Sequence, residues 1–191
     1  MKRDFPGARI REAGYSAIEL MMTVGIMATV GAMAVFQIST AQPAQKSEGA
    51  MRTIMSQLNT ARELSITQRR LIEIVFVAPN QIQLVRHEVP GPTTTTLTTI
   101  PFEGGVQYNK ITGVSDTPDA FGMHSAIDFG TATNYCFSTD GTLTDCNGNP
   151  INGTVVLATS GLTNSSRAVT ILGATGRVRG YRWNGRAWVL V

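Results

Sequence analysis

The sequence predicts an α+β fold: a long N-terminal helix, membrane-spanning in its first half and amphipathic in its second, packed on a mostly antiparallel β-sheet domain. Three observations carry this. No ionisable residue occurs between Leu20 and Phe36. Apolar residues then recur at helical spacing as far as Ser65. After Arg70 the period shortens, and β-branched runs alternate with clusters of Gly, Asn, Asp and Pro. Composition agrees, since Gly is abundant (19 of 191 residues) and charged residues are only 15%, against roughly 25% in an ordinary soluble domain. An apolar content of 42% excludes a disordered chain, and a single long apolar run excludes a polytopic membrane protein.

Residues 1–14 form a polar, basic leader, with Lys2, Arg3, Arg9 and Arg11 against Asp4 and Glu12. The apolar run Leu20–Ile38 follows, about 28 Å long as a helix and close to the hydrocarbon thickness of a bilayer. Positive charge before the span and little after it keeps the N-terminus in the cytoplasm and sends the remainder outward. An ordinary secretory signal is the competing reading, for which Ala32-Met33-Ala34 offers a cut site. Glu19 argues against it. An acid at the edge of an apolar run is costly in lipid and implies a partner. Cleavage after Gly14 would give Tyr15 a new α-amine and make Glu19 the fifth residue of the mature chain. That amine on one subunit could neutralise the carboxylate of its neighbour inside an apolar bundle.

The segment Ala13-Gly14-Tyr15-Ser16-Ala17-Ile18-Glu19-Leu20-Met21-Met22 resembles the class III signal of type IV pilins and type II secretion pseudopilins. The resemblance implies cleavage after Gly14 by a prepilin peptidase, N-methylation of Tyr15, and an assembly role for the Glu19 carboxylate. Tyr15 stands where the family usually has Phe, and an aromatic ring is kept. The implied organisation is a leader over 1–14, a transmembrane assembly helix over 15–42 and a periplasmic pilin-like domain over 43–191. The implied location is the inner membrane, crossed once, and then a pilus or pseudopilus. The implied partners are the peptidase, other major and minor pilins or pseudopilins, and the inner membrane itself.

Pro43 is expected to kink or briefly break the helix. Beyond it, Met51, Ile54, Met55, Leu58, Ala61 and Ser65 form an apolar stripe suited to packing on a sheet. Leu71–Val77 and Gln81–Val85 flank Pro79-Asn80 and predict a hairpin. A loop at Val89–Pro92 leads into a Thr-rich strand, and further strand-like runs are Val106–Tyr108, Ala126–Phe129, Tyr135–Ser138, Val155–Ala158 and Ala168–Leu172. Leu58–Leu64, Phe137-Ser138-Thr139-Asp140-Gly141 and Gly176-Arg177-Val178-Arg179 look like the GspH/FimT (FimU) branch of the family, which comprises minor pilins and minor pseudopilins.

Cys136 and Cys146 flank a short loop, and in an exported domain they are most simply a disulfide worth about 2–3 kcal/mol. No catalytic residue is expected. His87 and His124 lie near no nucleophile motif, and no Gly-rich loop has phosphate-binding spacing. The aspartates Asp116, Asp119, Asp128, Asp140 and Asp145 read as turn residues, and neither a metal site nor a cofactor is expected.

The C-terminus is basic. From Cys146 to Val191 there are five arginines and no acid. Without residues 1–14 the chain keeps 12 basic and 11 acidic residues, so positive charge is segregated and points to a polyanion surface. Asn184-Gly185 predicts a two-residue type I′ hairpin pairing Trp183 with Arg186 and Tyr181 with Trp188. One face then carries Val178, Gly180, Arg182, Ala187, Val189 and Val191 and is expected to look inward. The other carries Arg177, Arg179, Tyr181, Trp183, Arg186, Trp188 and Leu190, the ingredients of phosphate contact plus base stacking. Guanidinium on aromatic rings also covers sheet faces and builds protein interfaces. Gly176-Arg177-Val178-Arg179 is similar to the G-R-x-R motif of FimT-like minor pilins that bind DNA during natural transformation. The expectation is therefore a minor pilin binding double-stranded DNA non-specifically through Arg177, Arg179, Arg182 and Arg186. The alternative is a structural minor pilin or pseudopilin priming a filament through protein contacts, and a secreted domain cut near Ala34 is a third reading.

Overall fold

The computed structural model describes residues 15–191, and side chains for all of these except 35–41. It divides into two compact units, one ending at Thr40 and the other beginning at Ala41. A helix, α1, runs Ala17–Gln68. Its window Ala17–Ala34 is long and apolar enough to cross a membrane, and none of that window is buried against protein. The leader and Gly14 lie outside the described residues. The helix continues through Pro43, where the sequence predicts a kink or break. The ring removes one N–H, but its fixed φ of about −65° is itself helical, which lets the helix continue.

The second unit holds two antiparallel sheets. The first has five strands: β1 (Ile72–Val77), β2 (Gln81–His87), β3 (Thr94–Pro101), β6 (Cys136–Phe137) and β7 (Leu143–Thr144), in the order β3-β2-β1-β6-β7. The other has β4 (Val106–Tyr108), β8 (Gly153–Thr159), β9 (Arg167–Leu172), β10 (Arg177–Trp183) and β11 (Trp188–Leu190), in the order β11-β10-β9-β8-β4, with β5 (Ile127–Asp128) also paired to β8. Two single 3₁₀ turns, Thr163–Ser165 and Gly173–Thr175, join β8 to β9 and β9 to β10. Among the described residues the only α-helix is α1, as the loss of 3.6 periodicity after Arg70 predicts.

The helical stripe forms the centre of the core. Met51, Ile54, Leu58 and Ala61 are fully buried together with Ile72, Ile74, Ile82, Leu84, Leu157 and Ile171 from the sheets. Spacing of three and four residues places these side chains on one helix face, and burial of that face stabilises the helix more than its intrinsic propensity does. A second cluster lies elsewhere: Val114, Met123, Val156, Ala168, Tyr181, Trp183 and Trp188. Val155 and Leu157 pack in the main core while Val156, between them, packs in the second, so the sheet is covered on both faces. The cover on the second face comes from residues between β4 and β5, through Ile111, Val114 and Met123.

Cys136 and Cys146 form a disulfide with a Cα–Cα distance of 4.9 Å. It closes a loop containing β7 and the turn at Asp140-Gly141. There the Asp140 carboxylate accepts from the Thr142 backbone N–H (3.0 Å) and hydroxyl (2.8 Å), and also from the Ser138 hydroxyl. These bonds, with the Ser138 hydroxyl foremost, hold Asp140 down at a pKa of about 2.

Candidate functional site

Two regions carry the residues singled out by sequence: the start of α1 and the C-terminal strands. Tyr15 and Glu19 precede and open α1, with Tyr15 78% exposed. The apolar side chains that follow, including Ile18, Leu20, Met21, Val24 and Ile26, are all more than half exposed. Such a surface calls for lipid or for other apolar helices around it.

The C-terminal hairpin departs from the predicted register. Trp183 pairs with Trp188, Arg182 with Val189 and Tyr181 with Leu190, so the connection is the four residues 184–187 instead of two. The Asn184 side chain accepts from the N–H groups of Arg186 and Ala187, at 2.9 Å each, and its own N–H donates to the Ala187 carbonyl. The two indoles meet edge to face across the strands, 5.3 Å apart. A buried aromatic pair directly opposite outweighs the local preference of Asn-Gly for a tight turn. The slip is two residues, which keeps the paired residues Tyr181–Trp183 and Trp188–Leu190 on their predicted faces but moves Arg186 and Ala187 out of the strands into the turn.

Burial of those faces is the larger correction. The face with Gly180 does look inward. An added Cβ at Gly180 would sit 2.6 Å from the Met55 sulfur, which makes this the close approach of β10 to α1. The opposite face, expected to offer rings to nucleic acid, is itself covered: Tyr181, Trp183 and Trp188 are 4%, 7% and 8% exposed. Trp188 Nε1–H donates to the Ser115 carbonyl at 2.8 Å. Asp119 holds the same segment down, accepting from Arg179 Nη1 on one oxygen (2.6 Å) and from the Thr170 and Tyr181 hydroxyls on the other (2.6 and 2.9 Å). Burial favours the protonated Asp119, but the Thr170 and Tyr181 hydroxyls and the Arg179 charge outweigh it and hold its carboxyl below the ordinary range.

The four arginines therefore do not share one surface. Arg177 and Arg179 lie on the covered side of β10, Arg182 on the helix side, and Arg186 in the turn. Arg179 is committed to Asp119, whereas Arg177, Arg182 and Arg186 are exposed and form no ion pair among the described residues. Gly176 has a separate explanation. It adopts φ 63°, and a Cβ there would strike the Gly141 carbonyl and Arg62. Arg62 Nε in turn donates to the Gly141 carbonyl at 3.2 Å. The three segments resembling the GspH/FimT branch, around Arg62, Gly141 and Gly176, thus meet at one packing junction.

Sequence reasoning missed Glu48, Arg52 and Arg167. Arg167 is buried, its side chain 4% exposed, and donates from Nε to Glu48 Oε2 at 3.0 Å. Burial depresses its pKa and the Glu48 bond and charge oppose that. An arginine opening a β-branched strand, Arg167 before Ala168-Val169-Thr170-Ile171, was the available signal. Among the described residues no group of three or more His, Cys, Asp or Glu is placed to hold a metal ion.

The described residues define an α+β protein with a single helix long and apolar enough to span a bilayer and a disulfide-closed two-sheet unit. No family model and no curated protein matches the chain. Among solved structures it is similar to the type IV minor pilin FimU of Pseudomonas aeruginosa, at 17% identity and TM-score 0.46, over 70% of this chain and 90% of that one. It is also similar to the minor pseudopilin EpsH of the Vibrio cholerae type 2 secretion system, at 11% identity and TM-score 0.49, over 72% of this chain and 97% of that one.

Proposed function

We propose that the chain is a membrane-anchored minor pilin or minor pseudopilin, without catalytic activity, that joins or primes a filament through its N-terminal helix. The observation that supports this most is a span of 18 apolar-rich residues, Ala17–Ala34, exposed along its length and carrying one carboxylate, Glu19, in its first turn. The span follows Gly14-Tyr15, whose cleavage would supply the amine that Glu19 needs in an apolar bundle. The disulfide suits a domain exported to an oxidising compartment, with the N-terminus in the cytoplasm. Intact-mass analysis of the membrane fraction tests the reading. A mature chain beginning at Tyr15 and carrying one extra methyl group is expected, and a chain beginning at Val35 would replace the filament reading with a secreted domain.

A second reading adds non-specific binding of double-stranded DNA during uptake. It draws on the exposure of Arg177, Arg182 and Arg186 and on the five-arginine C-terminal segment. The aromatic rings give it no support, because they are buried.

A further inference from the structure

Arg182, on the helix side of β10, opens onto a groove of about 550 Å³ lined by Ala44, Gln45, Glu48, Arg52, Arg167 and Arg182. Three guanidinium groups face one carboxylate there, and both oxygens of that carboxylate are already engaged. Glu48 Oε1 is 3.1 Å from Arg52 Nη2, and Oε2 is 3.0 Å from Arg167 Nε. Arg167 directs its other donors inward, Nη1 to the carbonyls of Asn164 (3.1 Å) and Ser166 (2.9 Å) and Nη2 to that of Ala44 (3.0 Å). Four of its N–H donors are thus taken, of the five a guanidinium carries. Arg182 has no acidic partner among the described residues, and its charge opposes that of Arg167, adding to the depression that burial imposes. The groove keeps an excess of two positive charges and a set of unused fork-shaped donors, which match a phosphate bidentately.

We propose that this groove holds the phosphate of an anionic phospholipid headgroup. Its position in the chain favours that source. Ala44, the first lining residue, follows the end of the span at Ala34 by ten residues. The groove is thus tied by a short length of chain to the membrane that the span would cross. At the surface of a bilayer that carries anionic lipid, each exposed arginine strengthens binding by a factor of about five. Arg167, almost fully buried at one wall with four donors taken, contributes charge, while the exposed Arg52 and Arg182 are the guanidinium groups that a phosphate can reach. Lipid binding here would fix the domain against the membrane before the subunit leaves it. The inference rests on the membrane-anchored reading, whose own failure would appear separately as a mature chain beginning at Val35.

The test uses the full-length chain in neutral detergent micelles, titrated with fluorescent short-chain phosphatidylglycerol and, separately, phosphatidylcholine, read by anisotropy. Tighter binding of phosphatidylglycerol is expected, weakened about fivefold by Arg182→Gln and further by Arg52→Gln/Arg182→Gln. Lys110→Gln, an exposed cation between β4 and β5, should leave it unchanged. Arg182 and Arg52 are both exposed, and circular dichroism of the variants checks that they fold. Equal affinity for both lipids, or no effect of Arg182→Gln, overturns the proposal. Competition by inorganic phosphate at equal concentration would make the groove a free-anion site instead. Crosslinking of an Arg182→Cys variant to a neighbouring subunit, without lipid selectivity, would assign the groove to a protein acid.

Discussion

Asp119 shows how one carboxylate organises a surface. Its two oxygens tie Arg179 and Tyr181 of β10 and Thr170 of β9 to a segment with no regular structure of its own. Its side chain is 12% exposed, so removing it strands a partly buried guanidinium and two hydroxyls. Asp119→Ala should lower stability at neutral pH by about 2 kcal/mol, read as a fall in the urea midpoint at constant slope. The pH dependence has a definite sign. The folded carboxyl titrates below its unfolded value, so its contribution is complete above about pH 4 and is lost as pH falls through the folded value. Asp128 and Asp140 are also depressed and act in the same window, so the informative quantity is a difference. Asp119→Asn should show a shallower loss of stability than the native chain below pH 4, and parallel curves would remove Asp119 from the acid response. At this scale the sequence was least legible. Asp119 in Thr-Pro-Asp-Ala reads as a turn residue, because nothing local reveals the β9 and β10 side chains that reach it.

Elements were more legible than their covering. The helix stripe, the hairpin of β1 and β2 and most strand positions follow from period and turn residues, because each depends on neighbours in the chain. The register of β10 and β11 depends on two indoles meeting across strands, which Asn184-Gly185 does not encode. Residues 109–125 carry no strand or helix pattern, yet the run Val155-Val156-Leu157-Ala158 requires cover on both faces of β8. Two glycines make the packing testable. At Gly176 a methyl group would meet a backbone carbonyl, that of Gly141, while φ 63° already disfavours any side chain. At Gly180 it would meet the sulfurs of Met55 and Met51, the ends of flexible side chains, at 2.6 and 3.2 Å. Gly176→Ala should cost about 2–4 kcal/mol and Gly180→Ala about 1 kcal/mol or less, measured by denaturant unfolding. The reverse order would mean that the junction of Arg62, Gly141 and Gly176 yields more easily than the Met stripe.

For the whole molecule, the segregated positive charge sets what a polyanion would meet. A chain with five arginines and no acid after Asp145 looks from sequence like a stacking and phosphate surface, because strand alternation puts Arg177, Arg179, Tyr181, Trp183 and Trp188 on one side. Alternation assigns faces but not which face another segment covers, and the loop bearing Ser115 and Asp119 takes the rings and one guanidinium. What is left for a polyanion is charge alone, at Arg177, Arg182 and Arg186. The prediction is correspondingly restricted. If the DNA reading holds, Ala41–Val191, which contains both buried clusters, should bind random duplex weakly. With three arginines as the upper bound on phosphate contacts, log affinity against log salt should have a slope no steeper than about −3. Arg177→Gln/Arg186→Gln should reduce that slope, while Trp188→Phe should change stability but leave the affinity of folded protein unaltered, because the ring faces Ser115 and not solvent. Arg179→Gln is a poor probe, since it breaks the ion pair with Asp119 along with any phosphate contact. A folded fragment that binds nothing at low salt would remove DNA from the account and leave the groove of Arg52, Arg167 and Arg182 as the place where the segregated charge acts.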